Sequence, residues 1–355
     1  MNNLILGGAG FIGAHLAARL LRDGRRVTIV DDFSRGTRDA AIADLERSGA
    51  RLVSADLTRP DPWVLLGQDW DEVYHLVAVV GVRNVEQDPL RCMRVNTLAT
   101  LNLIDWVPRK ARVFYSSTSE VYAGGVAHGI VPVPTAESAM VVVDKPTAPR
   151  AAYAVSKLWG EAALSHAGAA RGFDWVTGRF HNVYGPRMGM SHVVPEMLAR
   201  AAAGETPFRV WGADQTRAFC YVDDAVEAVV RLMRTPRATG RIVHIGTTAE
   251  THIIDLARIV LSAVGVDPPL QVLQGPDGSV SRRCPDTSLL YRLTGHVPRI
   301  ELPEGVRRTW QWYSTSGLNA REGEAGRSDP AAVAATTSTA PTAPAPVAYA
   351  APLAP

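Results

Sequence analysis

Short apolar runs punctuate the first half of this chain, and each stops at a glycine, a carboxylate or a cluster of small polar residues. Leu4-Ile5-Leu6 runs into GGAGFIG at 7–13, and RRVTIV is followed by Asp31. Leu52 and Val53 lead to Asp56-Leu57, Glu72 to Val77 form a fourth run, and Val113-Phe114-Tyr115 a fifth. Between them lie segments with helical spacing of apolar positions: HLAARLLRDG, Pro89 to Val107, and the stretch from Tyr153. Such alternation predicts a parallel sheet with helices on both faces. After Phe180 the elements shorten, with helices expected around 192–203 and 223–234 and further pieces as far as Tyr313. From about Gly317 the chain turns to Ala, Pro, Thr and Val, which reads as a disordered or polyproline-like tail. The expectation is an α/β chain with a sheet domain at 1–180 and a smaller α/β domain at 181–316. Some segments of the second domain return to the sheet, and a tail follows at 317–355.

Composition removes several classes of function. With 46% hydrophobic and 20% charged residues, 355 residues hold ample material for a globular core. A net charge of +2, without a basic block or interleaved aromatics, gives no sign of nucleic acid. Cys92, Cys220 and Cys284 are too few and too scattered for a disulfide framework or a zinc site, so a reducing cytoplasm is expected and no metal. MNNLILGGAG reads as a strand and turn rather than a signal peptide. No uncharged run approaches the roughly 20 apolar residues of a membrane span.

The chemistry gathers at the ends of the strands. Gly7, Gly10 and Gly13 follow a strand and open a helix. That context gives a tight turn, close backbone approach to a pyrophosphate, and a helix N-terminus facing the phosphates. Asp31, closing the second strand, can accept from both ribose hydroxyls of NAD and repels the extra phosphate of NADP. Asp32 and Arg35 leave the phosphorylated cofactor open, but the acidic strand end favours NAD. Asp56-Leu57 fits an adenine contact and a plain turn equally. Tyr153 and Lys157 are one helical turn apart, so an ammonium can lower the pKa of a phenol acting as base. Alone, the pair equally describes an amphipathic helix with a snorkelling lysine. Ser116 to Ser119 and then Glu120 end the fifth strand, where open sheets present their ligands. Asn96 reads as a packing or solvated residue. Arg187, Arg217, Arg282 and Arg283 suit a diphosphate, though each alone also suits a solvated surface.

Taken together, GGAGFIG, Asp31, YAVSK, FHNVYGPRM, QTRAFCYVDDAVEAVVRLM and the segment from RRCPDTSLLYRLTGH to RRTWQWY resemble the extended short-chain dehydrogenase/reductase family. Within it they are most similar to the nucleotide-sugar epimerases, dehydratases and decarboxylases. The resemblance covers about residues 2–315. It implies a Rossmann-type doubly wound sheet with a smaller C-terminal substrate domain. It also implies NAD held by Gly7, Gly10, Phe11, Ile12, Gly13, Asp31, Asp32, Asp56, Leu57 and Leu76, together with Tyr153 and Lys157. Thr118, Tyr153 and Lys157 would form the catalytic triad. Ser119, Asn182, Arg187, Val193, Arg217 and Arg283 would lie near a UDP-linked sugar, and the chain would pair as a homodimer through helices 89–107 and 153–171.

Glu120 narrows the choice by resemblance. Simple 4-epimerases carry small or hydroxyl residues there, and 4,6-dehydratases usually precede the glutamate with an aspartate, where this chain has Ser119. UDP-glucuronate decarboxylases look like TSEVY and pair it with an arginine in the RRxP segment, here Arg283. The leading expectation is an NAD-dependent lyase that decarboxylates UDP-glucuronate through a 4-keto intermediate to a UDP-pentose. A 4,6-dehydratase, a 4-epimerase and a non-catalytic NAD-binding regulator remain as alternatives. HLVAVVGV at 75–82 and His244 depart from the family pattern; His244 reads as a satisfied core or surface histidine rather than a catalyst. The apolar loop at 124–150 is expected to cover the sugar.

Overall fold

Residues 1–275 and 279–316 are described by a computed structural model, and the expected tail at 317–355 lies outside them. Six strands build most of one sheet: β1 (Asn2–Leu6), β2 (Arg26–Asp31), β3 (Arg51–Ser54), β4 (Glu72–His75), β5 (Arg112–Thr118) and β6 (Asp174–Phe180). A seventh, Arg241–Ile245, comes from late in the chain, and the spatial order is Arg241–Ile245, β6, β5, β4, β1, β2, β3. All neighbours run parallel. This is the doubly wound α/β fold that the alternating pattern predicts. The strand order reverses between β1 and β4, so their carboxyl ends open the crevice where such sheets bind nucleotides.

The strand interiors are apolar on both faces because helices cover both. Leu4, Leu6, Val73, Val113 and Tyr115 share a core with Leu103 and Leu164 from the helices Pro89–Trp106 and Ala151–Arg171. Gly160 allows the second of these to settle on β5. A Cβ there would lie 1.9 Å from the Tyr115 hydroxyl oxygen.

Beyond β6 three small sheets form. Val183–Tyr184 pairs with Cys220–Tyr221, and Phe208–Trp211 with Leu270–Leu273. Thr216–Ala218 lies between Glu250–His252 and Arg282–Arg283, a register that sets Arg283 beside Arg217. Residues Met1–Thr315 form one compact unit. Among the described residues no helix is long and apolar enough to cross a membrane.

Replacing Gly160 with Ala forces the helix of Tyr153 away from β5. We expect G160A to lose about 1–3 kcal/mol of unfolding free energy, as overpacked cores do. Urea unfolding measures it, and an unchanged midpoint would contradict the packing described.

Candidate active site

The turn after β1 is shaped by three glycines with different reasons. Gly7 has φ +76°, and a Cβ on it would sit 2.9 Å from the Val77 nitrogen, where the chain leaving β4 passes through Leu76. At Gly13 a Cβ would meet the Gly8 Cα at 2.6 Å, so the helix Phe11–Arg22 presses directly on the turn. Gly10 is different: a Cβ would find only the Gly7 carbonyl, at 3.4 Å. It caps the helix without a side-chain bond, leaving the N–H groups of the first helical turn, which begins with Phe11 and Ile12, open to an anion. The packing does not demand a glycine at that point, but a pyrophosphate does.

Asp31 is buried at the end of β2, where its two carboxylate oxygens accept from the N–H groups of Ala9 (3.0 Å) and Phe33 (2.9 Å). Burial raises its pKa. An ionised carboxylate has about four acceptor positions, so two backbone bonds orient it and leave room for ribose hydroxyls. These residues fit NAD. Asp32 and Asp56 are exposed and spend their oxygens on their own turns, with Ser34 and Thr58. The Leu57 side chain belongs to the core, while its carbonyl accepts from Trp63 and Asn102. Arg187, expected beside the sugar nucleotide, turns toward the glycine loop instead and pairs with Asp39 at 2.9 Å.

Thr118 ends β5 and Tyr153 and Lys157 face it from the helix Ala151–Arg171. The Thr118 oxygen accepts from the Glu120 N–H at 3.1 Å, and its hydroxyl faces the Tyr153 phenol closely enough to lower the phenol's pKa. Burial and the Glu120 charge raise the Tyr153 pKa, and the bond with Thr118 works against them. Lys157 is fully buried, donates to the Ser116 hydroxyl at 3.4 Å, and is brought down to about 8 by desolvation. Asn96, read from sequence as packing or solvated, is buried and fixes this helix. It accepts from the Val79 N–H (2.8 Å) and donates to the Ser156 hydroxyl (2.9 Å), which in turn donates to the Tyr153 carbonyl (2.8 Å).

Glu120 stands in the short 3-10 turn Ser119–Tyr122 and accepts from Arg283 at 2.6 Å. Burial alone would raise its pKa, but Arg283, then Arg150 and Arg217, hold it below the ordinary carboxylate value. Among the described residues Arg217 is hydrogen-bonded to neutral oxygens, those of Thr216, Ser281, Gln215 and Ser279. Desolvation and the neighbouring Arg283 lower it to about 10. Positive charge therefore exceeds negative at this end of the site. Asn182 adopts φ 38° and donates to the Ala218 carbonyl, and Val193 opens the helix Val193–Ala202.

Sequence reasoning did not reach Arg150, which sits one turn before Tyr153 at the head of the same helix. It also missed His181, which lies with Ser119 and Arg283 around a cavity of about 10 Å³ and whose ring nitrogens have no partner among the described residues. Thr135 in the apolar loop donates its N–H to the Cys284 carbonyl (2.9 Å) and accepts from the Asp286 N–H (2.7 Å), stitching that loop to the segment of Arg283. His244 is a satisfied core residue, bonded to the Tyr122 hydroxyl (2.9 Å) and the Asp286 carbonyl (3.1 Å). Among the described residues no group of acidic, histidine or cysteine side chains could hold a metal.

Residues 3–246 match the sequence pattern of the NAD dependent epimerase/dehydratase family. The chain belongs to that family. NAD is its cofactor, in agreement with the cradle at Gly7–Gly13 and Asp31. UDP-glucuronic acid decarboxylase 1 of Xenopus tropicalis is 32% identical over 313 residues, covering 87% of this chain and 71% of that protein. UDP-glucuronic acid decarboxylase 6 of Arabidopsis thaliana is 31% identical over 310 residues, covering 86% and 87%. The UDP-glucuronic acid 4-epimerase of Bacillus cereus, solved with UDP-glucuronic acid and NAD, superposes with a TM-score of 0.78 at 26% identity, covering 89% and 99%.

Three buried histidines of this family member are held neutral by desolvation: His75 at about 3, His244 at about 4, and His181 well below its ordinary value. In the unfolded chain each titrates near 6.5. The unfolded state therefore binds more protons between about pH 4 and 6.5, and stability is full above that window and falls as pH drops through it. Urea unfolding against pH is expected to show this loss. His244→Asn should make the slope shallower by about one proton, and an unaltered slope would show that His244 is not held neutral.

Proposed function

We propose that the protein decarboxylates a UDP-linked glucuronate through a 4-keto intermediate, giving a UDP-pentose. The observation that carries this reading is the Glu120–Arg283 pair at 2.6 Å, beside Thr118 and Tyr153. When bound, NAD supplies the hydride acceptor at C4 and a positive ring near the phenol. Tyr153 takes the proton of the 4-hydroxyl, Thr118 orients that oxygen, and Lys157 offers a charge that burial has already made easy to surrender. Ketone formation at C4 turns the uronate into a β-keto acid, whose carbon–carboxylate bond breaks as its electrons enter the ketone. Arg283 receives the carboxylate and the developing enolate charge. Glu120, displaced from Arg283, would assist reprotonation at C5, and return of the hydride to C4 and of the Tyr153 proton to its oxygen completes the UDP-pentose. Arg217, with no carboxylate partner of its own among its hydrogen bonds, suits the diphosphate, and Arg150 adds to the same field. Of these residues, Arg217 and Arg283 come from the 181–316 segment. The relatives named as UDP-glucuronic acid decarboxylases support the reading.

Incubation with UDP-glucuronate should release carbon dioxide and yield a nucleotide lighter by that mass. A product of unchanged mass would point to 4-epimerisation, and water loss from a nucleotide hexose to a 4,6-dehydratase. No reduction of bound NAD by any sugar nucleotide would leave a regulator. Removing the guanidinium with R283M is expected to cost about 10²–10³ in kcat, the scale of a lost electrostatic stabiliser, while NAD reduction on mixing persists. Full activity in R283M would sink the proposal.

The homodimer is part of the same reading. Helices Pro89–Trp106 and Ala151–Arg171 pack together and expose Leu90, Met93, Leu101 and Trp159, an apolar face suited to its own copy. Sedimentation at twice the chain mass is expected, and a monomer would remove the dimer from the account. The three free, buried cysteines support a reducing cytoplasm.

A further inference from the structure

Arg187 lies in the turn that follows β6 and Val183–Tyr184, yet its side chain works on the other side of the cofactor crevice. Its backbone takes φ 67°, which a side-chain-bearing residue adopts only when something holds it there. The guanidinium is 5% exposed. It donates to Asp39 at 3.0 Å, to the Ala9 carbonyl at 3.3 and 3.4 Å, and to the Gly10 carbonyl at 3.2 Å. Pro186, the residue before, offers its carbonyl to the His15 ring at 3.0 Å. One short stretch of the sugar-nucleotide half therefore grips both the glycine turn and the helix behind it.

Charge gives this grip a purpose. Asp31 accepts from Ala9 in the turn and Asp39 pairs with Arg187 at 2.9 Å, while burial raises the pKa of Asp31 and the Arg187 charge opposes that rise. The pyrophosphate of a dinucleotide lies against such a turn. Two unscreened carboxylates beside it would repel it. Asp39 is held in place for another reason, since it caps the helix Ala40–Arg47 by accepting from Ile42.

We propose that Arg187 is a positioning residue for NAD. It clamps the glycine turn through the Ala9 and Gly10 carbonyls and offsets the charge of Asp39 beside the pyrophosphate, so that cofactor retention depends on a turn from the C-terminal half of the chain. This goes beyond the decarboxylase reading and stands whichever sugar nucleotide is the substrate.

The test measures NAD and UDP affinity on protein stripped of cofactor, at low and high salt, with the melting temperature of the same stripped samples. R187M is expected to weaken NAD binding by roughly tenfold to a hundredfold and to leave UDP affinity within about twofold. Raising salt from about 0.05 to 0.5 M should recover part of the loss, because screening weakens the exposed repulsion. Adding D39N to R187M should recover more, since asparagine still caps the helix but carries no charge. R187K, which keeps the charge without the fork, should fall between wild type and R187M, and it carries the test if R187M does not fold. The proposal is overturned if R187M binds NAD as wild type does. It is equally overturned if NAD and UDP affinity fall together with the melting temperature and neither salt nor D39N restores NAD binding, the pattern of a purely structural strut. Should wild type bind NAD but not UDP, the sugar-nucleotide reading fails and this one is unaffected.

Discussion

Beneath the catalytic turn lies a buried ion pair, Arg179 of β6 with Glu161 of the helix that carries Tyr153; their side chains are 4% and 3% exposed. Two charges removed from water are tolerable only when their remaining bonding capacity is filled. Here it is. Glu161 also accepts from the Ser117 hydroxyl, and Arg179 donates to the Tyr122 hydroxyl, which the His244 ring contacts in turn. The pair therefore ties together the end of β5, the 3-10 turn bearing Glu120, the helix bearing Tyr153 and Lys157, and the last strand of the sheet. Thr118, Glu120 and Tyr153 keep a common frame because their supports share one set of charges. Losing either partner would leave the other uncompensated, at a cost of several kcal/mol by analogy with other buried pairs.

Around that frame the charges are arranged in order of depth. Asp31 closes β2 and bonds the glycine turn, that turn and the helix N-terminus carry no charge, and Arg217 and Arg283 lie side by side on paired strands. Among the described residues Glu120 opposes them, and it is already paired with Arg283. Arg283 is thus ordered by Glu120 before any ligand arrives, and an anion that takes its place must displace that carboxylate.

The sheet was legible because its information is local. Apolar runs stopping at Gly7, Asp31, Asp56 and Ser116 mark the strand ends, and parallel topology follows from the helices between them. Gly7, Gly10 and Gly13 share one turn and Tyr153 and Lys157 one helical repeat, so spacing alone brings each set together, whereas Thr118 was reached through the family resemblance. What sequence did not show depends on neighbours far apart in the chain. Asn96 acts through Ser156, sixty residues on, and Arg187 reaches the carbonyl of Ala9 from 178 residues away. Arg150 needed the helix to be placed before its nearness to Glu120 could be seen. Such residues look like ordinary polar or surface positions until the fold puts a partner in front of them.

The two hydrogen bonds between Thr135 and the chain around Cys284–Asp286 bear on kinetics as well as architecture. A loop that hinged alone would admit and release ligand while the reaction centre stayed assembled. This one shares a bridge with the strand of Arg283. While that bridge holds, the loop cannot be displaced alone, because the segment that follows Arg283 moves with it.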